Sequence, residues 1–577
     1  MRNRKIWIIY VPIIIVIFII VVGINIFSAQ SVQKSVEEIE TNSLWNKVMS
    51  EEINRNEIYL NVDGKSVELG DKNLYMSENM ELMIPLAIVT EVFDCAQNLY
   101  AGSELVVEKG SNKAVMKIGN NTLNFNDGDY KLAETVLLKD DQIFLPISLF
   151  SQYLGYSYEW DSSQNTAYLK NEAEDHSFLP ERYSYVDEKR VPEVKDQGKY
   201  GTCWAFATLT AIESTLMPEE QFDFSEDHLI HNNELSEGIQ DGGDYIMSMA
   251  YLMSWRGPVR EQDDPYGDDN SPSDLEAVKH IQGAEIIPAK DYEQIKEKVY
   301  KYGGVESSIY MSMNNSDSKS VYYNDKKYAY CYKGEKKPNH DVLIIGWDDN
   351  FAKEYFNDKT VEGNGAFICL NSWGNDFGDE GVFYVSYYDD RIGSNNVCYI
   401  NIEDTDNYDN IYQSDLCGWT GTMGFEGKNT AYFANVFEAE ENESIKAVGF
   451  YAATDNLEYE VFVCENYQDK NSLNERNHVA ATGTFRNKGY YTVKLDQDYN
   501  IHSGEKFAVI VKVRALKDNQ AYKIIPVEMQ TEALKNKVDL TDGEGYFSSE
   551  GYNWQSAEKQ NCNICLKAYT DKKDTVD

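Results

Sequence analysis

Three separated segments of this 577-residue chain carry a thiol, an imidazole and a carboxamide that together could attack a carbonyl group. Cys203 follows Gln197 and starts an apolar run with helical spacing, CWAFATLTAIEST. His340 begins a later apolar run, HDVLIIG, and Asn371 follows in a third segment, within Asn-Ser-Trp-Gly. A cysteine at a helix N-terminus is favoured as the thiolate, because the unpaired N–H groups and the helix dipole stabilise its charge. The pattern predicts nucleophilic catalysis by a cysteine with a histidine base.

The segment around these residues resembles the papain-like cysteine peptidases. The family's nucleophile motif, Gln and then Cys-Gly-[Ser/Ala]-Cys-[Trp/Tyr], is matched by Gln197 and by the run Tyr200-Gly201-Thr202-Cys203-Trp204, and His340 and Asn371 follow in the family's order. The resemblance covers residues 180–402 and implies a papain-like α+β peptidase domain with a helix behind the cysteine and strands behind the other two motifs.

The resemblance also implies a catalytic role for four residues. Cys203 would attack the scissile carbonyl as a thiolate, and His340 would hold the ion pair and then protonate the leaving amine. Asn371 would orient the imidazole. The side-chain amide of Gln197 and the backbone N–H of Cys203 would bind the oxyanion.

The substrate-binding residues implied by the family pattern are Gly242, Gly243 and Trp373. The two glycines would let a substrate backbone approach closely, and Trp373 would shield the contact between the histidine and the asparagine. The chain departs from the family where two cysteines usually form a disulfide, since Tyr200 and Gln240 stand there. No adjacent histidine pair of the occluding-loop type is present, which favours an endopeptidase over a dipeptide-releasing enzyme.

Residues 57–171 contain short β-type runs broken by turn residues, and their pattern repeats. Pro85 and Pro146 each follow a short strand and start a helix, a position where the missing proline N–H costs nothing. The segment resembles the copper amine oxidase N-terminal-like domain, which implies a stalk or wall-contact module. It contains no histidine for a copper site. Residues 57–171 do not resemble the helical, charged propeptide that usually precedes a papain-like domain, so either the enzyme is made active or this module serves as its inhibitor. The hypothesis is that the module is a spacer.

Residues 410–572 contain at least seven alternating runs typical of a β-sandwich. This part resembles the lectin-like domain that follows the peptidase in some bacterial and archaeal surface cysteine peptidases, which implies a carbohydrate or surface ligand. Trp419 and Trp554 could stack on sugar rings, although aromatic residues of a sandwich are more often packing residues. The acidic run at 404–410 is interpreted as an interdomain linker, with calcium binding as the alternative.

The N-terminus carries an apolar segment, Ile6–Phe27, of 22 uncharged residues that would span about 33 Å as a helix. Basic residues precede it, so residues 1–28 are predicted to be a membrane anchor with the N-terminus inside. Residues 29–56 are then a spacer, and the catalytic domain is extracellular. The alternative is a cleaved secretory signal and a secreted protein.

The composition excludes several classes of function. The chain has 53 Lys and Arg against 96 Asp and Glu, a net charge of −43, which disfavours nucleic-acid partners. Its 42% hydrophobic and 13% aromatic content excludes wholesale disorder. The nine cysteines are too few and odd in number for a disulfide scaffold. No motif indicates a cofactor or a metal site.

The sequence therefore predicts a multidomain chain: a transmembrane helix, a small α+β stalk domain, a papain-like α+β peptidase domain and a C-terminal all-β, lectin-like sandwich. The predicted activity is that of a membrane-anchored, outward-facing cysteine endopeptidase acting on protein or peptide substrates, with a surface glycan as the implied partner of the last domain. The alternatives are a catalytically silent adhesin and a hydrolase of non-peptide amides or esters.

Overall fold

A computed structural model describes residues 58–573, apart from gaps at 68, 70–73, 78, 94, 101–102, 110–111, 127, 140–141, 162–164, 172–178, 236–237, 241, 268–269, 517–522 and 532–536. The predicted membrane anchor at 1–28 and the spacer at 29–56 lie outside the described residues. Within the described ranges, no helix combines the length and the apolar composition needed to cross a bilayer.

The described residues form two compact units. One contains the described residues up to Tyr75 together with Tyr158–Lys170, and the other contains Met76–Ser157 and the described residues from Asn171 onward. The region predicted as one stalk module is therefore divided between the two units. Its described elements are β1 (Tyr59–Val62), β2 (Lys65–Ser66), β3 (Tyr75–Met76), β4 (Leu82–Pro85), α1 (Val89–Phe93), β5 (Ala96–Tyr100), β6 (Glu104–Lys109), β7 (Asn112–Lys117), β8 (Thr122–Phe125), β9 (Gly128–Lys131), β10 (Leu137–Lys139), β11 (Gln142–Pro146), α2 (Ile147–Gln152), β12 (Tyr156–Asp161) and β13 (Thr166–Asn171).

The first unit is built around a small sheet in the order β12–β13–β1–β2. Strand β1 runs parallel to β13, with Tyr59 opposite Thr166, and antiparallel to β2. Leu60 and Val62 point to the buried side while Tyr59 is exposed, which is the alternation expected for a sheet with one solvated face.

The predicted repeat of a strand followed by a proline-started helix is confirmed in the second unit. Strands β4 and β11 pair antiparallel, with Phe144 opposite Pro85 and Pro146 opposite Met83. Pro146 caps α2 in an extended conformation, and Pro85 caps a short 3₁₀ turn that continues into α1. The two copies of the repeat thus pair with each other through their strands.

The described part of the predicted peptidase segment combines a helical part with a twisted sheet. The sheet order is β17–β18–β21–β20–β19–β16–β22–β15, with β14 at the edge of β19, and helix α4 packs against β19 and β22. Nearly every residue of α4 is buried, so its apolar run reflects burial on all sides rather than on one face. The elements are β14 (Arg182–Ser184), α3 (Tyr185–Glu188), α4 (Cys203–Leu216), α5 (Glu226–His231), α6 (Tyr245–Met253), β15 (His280–Ile287), α7 (Tyr292–Lys301), β16 (Val305–Ile309), β17 (Tyr323–Asn324), β18 (Ala329–Tyr330), β19 (His340–Asp348), β20 (Ala366–Leu370), β21 (Val382–Ser386) and β22 (Asn396–Glu403).

The C-terminal segment is an all-β sandwich, as predicted, and all seven runs read from the sequence contain strands. One layer follows the order β29–β26–β35–β23 and the other β33–β32–β25–β30–β27–β28, and residues such as Phe433, Phe450 and Val511 fill the core between them. The strands are β23 (Asn410–Tyr412), β24 (Gly421–Gly424), β25 (Thr430–Glu438), β26 (Glu443–Ala452), β27 (Leu457–Cys464), β28 (Ala481–Phe485), β29 (Lys488–Ile501), β30 (Lys506–Ala515), β31 (Lys523–Met529), β32 (Gly545–Ser548), β33 (Gln555–Ser556), β34 (Cys562–Ile564) and β35 (Leu566–Lys572).

The domains of the second unit share sheets, which the sequence did not indicate. Strand β15 of the peptidase pairs with β29 of the sandwich, so one sheet runs through both domains. Strand β5 of the stalk region pairs with β28, with Thr482 opposite Leu99, and extends the other layer. The acidic run at 404–410 is also anchored, because Asp404 accepts a hydrogen bond from Lys279 at 2.6 Å.

We expect Gly483→Val to break the pairing of β5 with β28, because a Cβ at this position would collide with Asn98, Tyr459 and the carbonyl of Gln97. Amides of both strands should then exchange hydrogen faster, as measured by mass spectrometry, while strand β25 keeps its protection. Thr430→Val, in the same layer but away from the junction, should leave exchange unchanged. Unchanged protection of β5 and β28 in Gly483→Val would contradict the shared sheet.

Candidate active site

Helix α4 begins at Cys203, so the thiol lies at the helix N-terminus, where the backbone N–H of Cys203 has no acceptor within the helix. The preceding loop is held by the hydroxyl of Tyr266. This hydroxyl donates to the carbonyl of Gln197 at 3.0 Å and lies 2.8 Å from the Oγ1 of Thr202. The structure thus fixes the loop by side-chain hydrogen bonds in a chain that lacks the family's cysteine pair at Tyr200 and Gln240.

Strands β19 and β20 bring the other two catalytic candidates together. His340 is the first residue of β19, Asn371 directly follows β20, and the strands pair antiparallel with Leu343 opposite Leu370. The Nε2 of His340 lies 2.7 Å from the Oδ1 of Asn371. Nε2 therefore donates to the asparagine, and Nδ1 is left as the nitrogen that can exchange a proton.

Trp373 covers this histidine–asparagine pair. Its ring lies 5.0 Å from the imidazole of His340, and Phe377 packs edge-on against its other side with 5.1 Å between ring centres. His340, Asn371 and Trp373 are all buried. The hydrogen bond therefore lies in a site from which water is largely excluded.

Gln197 is tied to the residue after Asn371. Its backbone N–H donates to the carbonyl of Ser372 at 2.8 Å, and the hydroxyl of Ser372 donates to its Oε1 at 2.6 Å. This fixes the direction of the amide, because Oε1 is taken by the hydroxyl. Its Nε2 donates one hydrogen to the carbonyl of Tyr200 at 2.8 Å, and an amide nitrogen carries a second. That second N–H can serve an oxyanion.

The two glycines predicted to line the cleft face the nucleophile loop. A Cβ on Gly243 would collide with the indole of Trp204, the residue after the nucleophile. Gly242 has a φ of +73°, which favours glycine, and its backbone lies 3.6 Å from the Cβ that Gly201 would carry. Gly243 therefore needs glycine for close packing, whereas Gly242 is favoured by its positive φ, since a Cβ there would lie 3.8 Å from the carbonyl of Gly201.

Burial opposes charge on both members of the predicted ion pair. It raises the pKa of Cys203 to about 12, with the negative charge of Asp341 as a second contribution, while backbone hydrogen bonds from Asp341 and Trp204 lower it. Burial lowers the pKa of His340 to about 4, and the hydrogen bond to Asn371 raises it. Asn371 thus favours the protonated imidazole against a large desolvation cost.

A buried ion cluster supports the loop that leads to Gln197. The ammonium group of Lys195 lies 2.8–2.9 Å from carboxylate oxygens of Glu213, Asp223 and Glu226. Burial raises the pKa of Glu226 to about 8, and Lys195 acts in the opposite direction. Glu213 belongs to α4 and Glu226 to α5, so the cluster links the loop to both helices.

Sequence reasoning missed three residues of the site. Ser372 stands inside the Asn-Ser-Trp-Gly motif and Asp341 directly follows His340, so their positions were visible although their contacts were not. Tyr266 is remote from Cys203 in the sequence, lies in a turn-rich stretch and carried no signal. Thiol, imidazole, oriented amide and helix N-terminus together have the parts needed for acyl transfer.

Three family models match successive parts of the chain. Residues 61–169 match the copper amine oxidase N-terminal domain, residues 179–406 the papain family cysteine protease, and residues 411–570 the lectin like domain. These matches confirm the three resemblances stated from the sequence. Residues 179–406 thus form a papain-like cysteine peptidase domain.

Curated relatives match the peptidase region. A viral cathepsin of Heliothis zea nuclear polyhedrosis virus is 30% identical over 217 residues, which are 36% of this chain and 52% of the relative. A cysteine protease of Blomia tropicalis is 25% identical over 255 residues, which are 40% of this chain and 70% of the relative. The chain spans about half the length of several of the curated relatives it matches.

A solved structure shares the two-domain architecture. The crystal structure of the cysteine protease and lectin-like domains of Cwp84, a surface layer associated protein of Clostridium difficile, is 24% identical, with a TM-score of 0.58. The match covers 68% of this chain and 89% of that chain. It shows that the fold of a peptidase followed by a lectin-like domain is shared.

Asn371→Ala should lower kcat/KM by about 10²-fold, because the imidazole loses the acceptor that fixes its orientation and its Nε2–H is left buried without a partner. Steady-state kinetics on a fluorogenic peptide measures this, with Asn350→Ala as the control, since Asn350 is exposed and bonds to Glu181 instead. Equal kcat/KM in both variants would contradict the role of Asn371.

Lys195→Met should lower the free energy of unfolding by about 3–5 kcal/mol, because Glu213 and Glu226 would remain buried without their cation. Lys428→Met, which removes an exposed ion pair with Glu550, should cost less than about 1 kcal/mol. Urea denaturation followed by tryptophan fluorescence compares the two variants. Similar losses in both would show that the buried cluster does not support the domain.

Proposed function

We propose that this chain is a cysteine endopeptidase that hydrolyses peptide bonds through Cys203, His340 and Asn371. The observation that carries the proposal is the 2.7 Å hydrogen bond between His340 and Asn371 beside a cysteine that starts a buried helix. The match of residues 179–406 to the papain family of cysteine proteases supports the same reaction class.

The geometry suggests how each proton moves. His340 keeps its Nε2–H on Asn371, so Nδ1 takes the proton of Cys203 as the thiolate attacks the scissile carbonyl. The developing oxyanion receives the second N–H of the Gln197 amide and the backbone N–H of Cys203. Nδ1 then gives its proton to the leaving amine, which leaves a thioester on Cys203. Water, deprotonated by the same nitrogen, hydrolyses the thioester.

Burial couples the two charges that this proton transfer creates. Because burial disfavours both the free thiolate and the free imidazolium, the two charges are stabilised by forming together, within the field of the α4 N-terminus. Asn371 adds to this stabilisation by accepting a hydrogen bond from the imidazolium.

The described part of residues 76–157 fits a spacer better than an inhibitor. Residues 76–157 contact the rest of their unit through strand β28, through a hydrogen bond of Asn98 to Tyr459 at 2.9 Å, and through an ion pair of Glu108 with Lys301 at 3.5 Å. These contacts of the described residues lie on the sandwich and on α7, and none of them is made to Cys203, His340 or Asn371. An inhibitory segment would have to occupy the cleft.

The outward-facing, membrane-anchored location belongs to the proposal and rests on the apolar segment Ile6–Phe27 and the basic residues before it. We also propose that the C-terminal sandwich binds a surface carbohydrate. Trp554 is buried and donates to Asn474 at 3.1 Å, so it is a packing residue. Trp419 is half-buried and, with Lys488 of the sandwich and Tyr245 of the segment before it, lines a cavity of about 240 Å³ between the two domains, which suits a sugar ring.

Purified protein should cleave a quenched-fluorescence peptide library and should react with an epoxide inhibitor of the E-64 type at Cys203. Cys203→Ala should lose both activities, and Cys464→Ala, which changes a half-buried cysteine of the sandwich, should keep both. Library cleavage is read by fluorescence and the adduct by peptide mass spectrometry.

Each of the other outcomes would favour a different function for this chain. Neither labelling nor cleavage by the unmutated protein would favour a silent adhesin. Labelling without peptide cleavage would favour a hydrolase of non-peptide amides or esters. Either result would overturn the endopeptidase.

A further inference from the structure

Asp341 places a carboxylate beside the nucleophile. It follows His340 on strand β19 and lies opposite Ser308 on β16, whose hydroxyl donates to its Oδ1 at 2.6 Å. Its negative charge is the largest contribution, after burial, to the raised pKa of Cys203. The carboxylate therefore lies close enough to the thiol to act on its charge.

Two further carboxyl groups, those of Asp244 and Glu306, lie close enough to Asp341 to interact with its charge. Asp244 follows Gly243 and caps helix α6 by accepting the N–H of Ile246 at 2.9 Å. Glu306 is fully buried and accepts hydrogen bonds from Thr208 and Tyr399. Burial raises the pKa of Glu306 well above its usual range, and the negative charge of Asp341 acts in the same direction. Burial raises the pKa of Asp341 to about 6, so this half-buried carboxyl group is ionised at pH 7.5.

Asp341 has no cationic partner in the part of the chain that the structure describes. None of the ion pairs found there includes Asp341, Asp244 or Glu306. Lys195, on the segment leading to Gln197, is already surrounded by three carboxylates. One neutral hydroxyl, that of Ser308, occupies a single carboxylate oxygen of Asp341, and the other oxygen can accept further hydrogen bonds.

In the absence of substrate, the negative charge of Asp341 disfavours the thiolate form of Cys203. An uncompensated anion beside Cys203 opposes the thiolate, which the reaction needs. A positive charge brought by the substrate would remove that opposition and would gain a charge-assisted hydrogen bond in a site of low dielectric. Gly242–Gly243 pack against the loop and the first turn of α4, and these are the surfaces proposed to receive the substrate backbone.

We propose that Asp341 is a specificity-determining residue, which binds the ammonium or guanidinium group of a Lys or Arg side chain close to the scissile bond of the substrate. The inference rests on the proposed peptidase function and names its substrate class: peptides with a basic residue near the cleavage site. The basic group accepts no proton and undergoes no reaction; it lies on the carboxylate while Cys203 attacks the neighbouring carbonyl.

The test compares matched peptides at pH 7.5 in low salt. A quenched peptide cleaved by the full-length protein is resynthesised with Lys, Arg, Gln or Glu scanned through each position within four residues of the scissile bond. At one position, kcat/KM for Lys or Arg should exceed that for Gln at least tenfold. In Asp341→Asn, which keeps an acceptor for Ser308, the ratio should fall below threefold.

Ratios within one enzyme cancel any change in the reactivity of Cys203, because both peptides meet the same thiol. Asp341→Lys should reverse the preference in favour of Glu at the same position. Asp406→Asn, an exposed carboxylate of the 404–410 run, serves as the matched control and should keep the wild-type ratio.

The outcomes separate this inference from the proposed function. Cleavage with no preference for basic side chains at any position, or a preference unchanged in Asp341→Asn while E-64 still labels Cys203, would overturn the role of Asp341 and leave the endopeptidase intact. Absence of cleavage of every peptide would overturn the endopeptidase, and with it the substrate class. Loss of E-64 labelling in Asp341→Asn alone would assign Asp341 to the integrity of the site rather than to specificity, and would also overturn the inference.

Discussion

The active site depends on the junction between the loop before α4 and the end of β20. Two hydrogen bonds form it: the backbone N–H of Gln197 to the carbonyl of Ser372 at 2.8 Å and the hydroxyl of Ser372 to the side chain of Gln197 at 2.6 Å. Because Asn371 precedes Ser372 and Cys203 follows Gln197, this junction sets the proposed oxyanion donor, nucleophile and orienting amide in one frame. A shift of the junction would misalign all three.

The charges within this frame then determine how readily Cys203 and His340 can ionise. The pKa of Cys203 is raised and that of His340 is lowered by burial, so the site favours neutral groups until a proton passes between them. The helix N-terminus and Asn371 favour the charged pair, while Asp341 opposes it. A substrate that brings a positive charge would shift this balance toward the thiolate, which links specificity to reactivity through one carboxylate.

The sequence predicted the features that depend on the chemistry of single residues and short motifs. Cys203, His340 and Asn371 could be identified because few residue types can do their work, and the proline-started helices because proline fits only the first turn. The sharing of sheets could not be predicted, since strand edges such as Thr482–Gly483 carry no mark of their partner and β28 could pair with any exposed strand. Asp341 was visible as a residue but not as a neighbour of the thiol, because that proximity depends on the packing of helix α4 against strand β19.

The central claim is that Cys203 forms the acyl intermediate within this hydrogen-bonded frame. Rapid-quench mass spectrometry of the protein mixed with an excess of an activated peptide ester tests it most directly. The account predicts a mass increase equal to one peptide acyl group within the first turnover, mapping to Cys203 and to none of the other eight cysteines. Turnover of the ester without an acyl adduct, or an adduct on another residue, would contradict it.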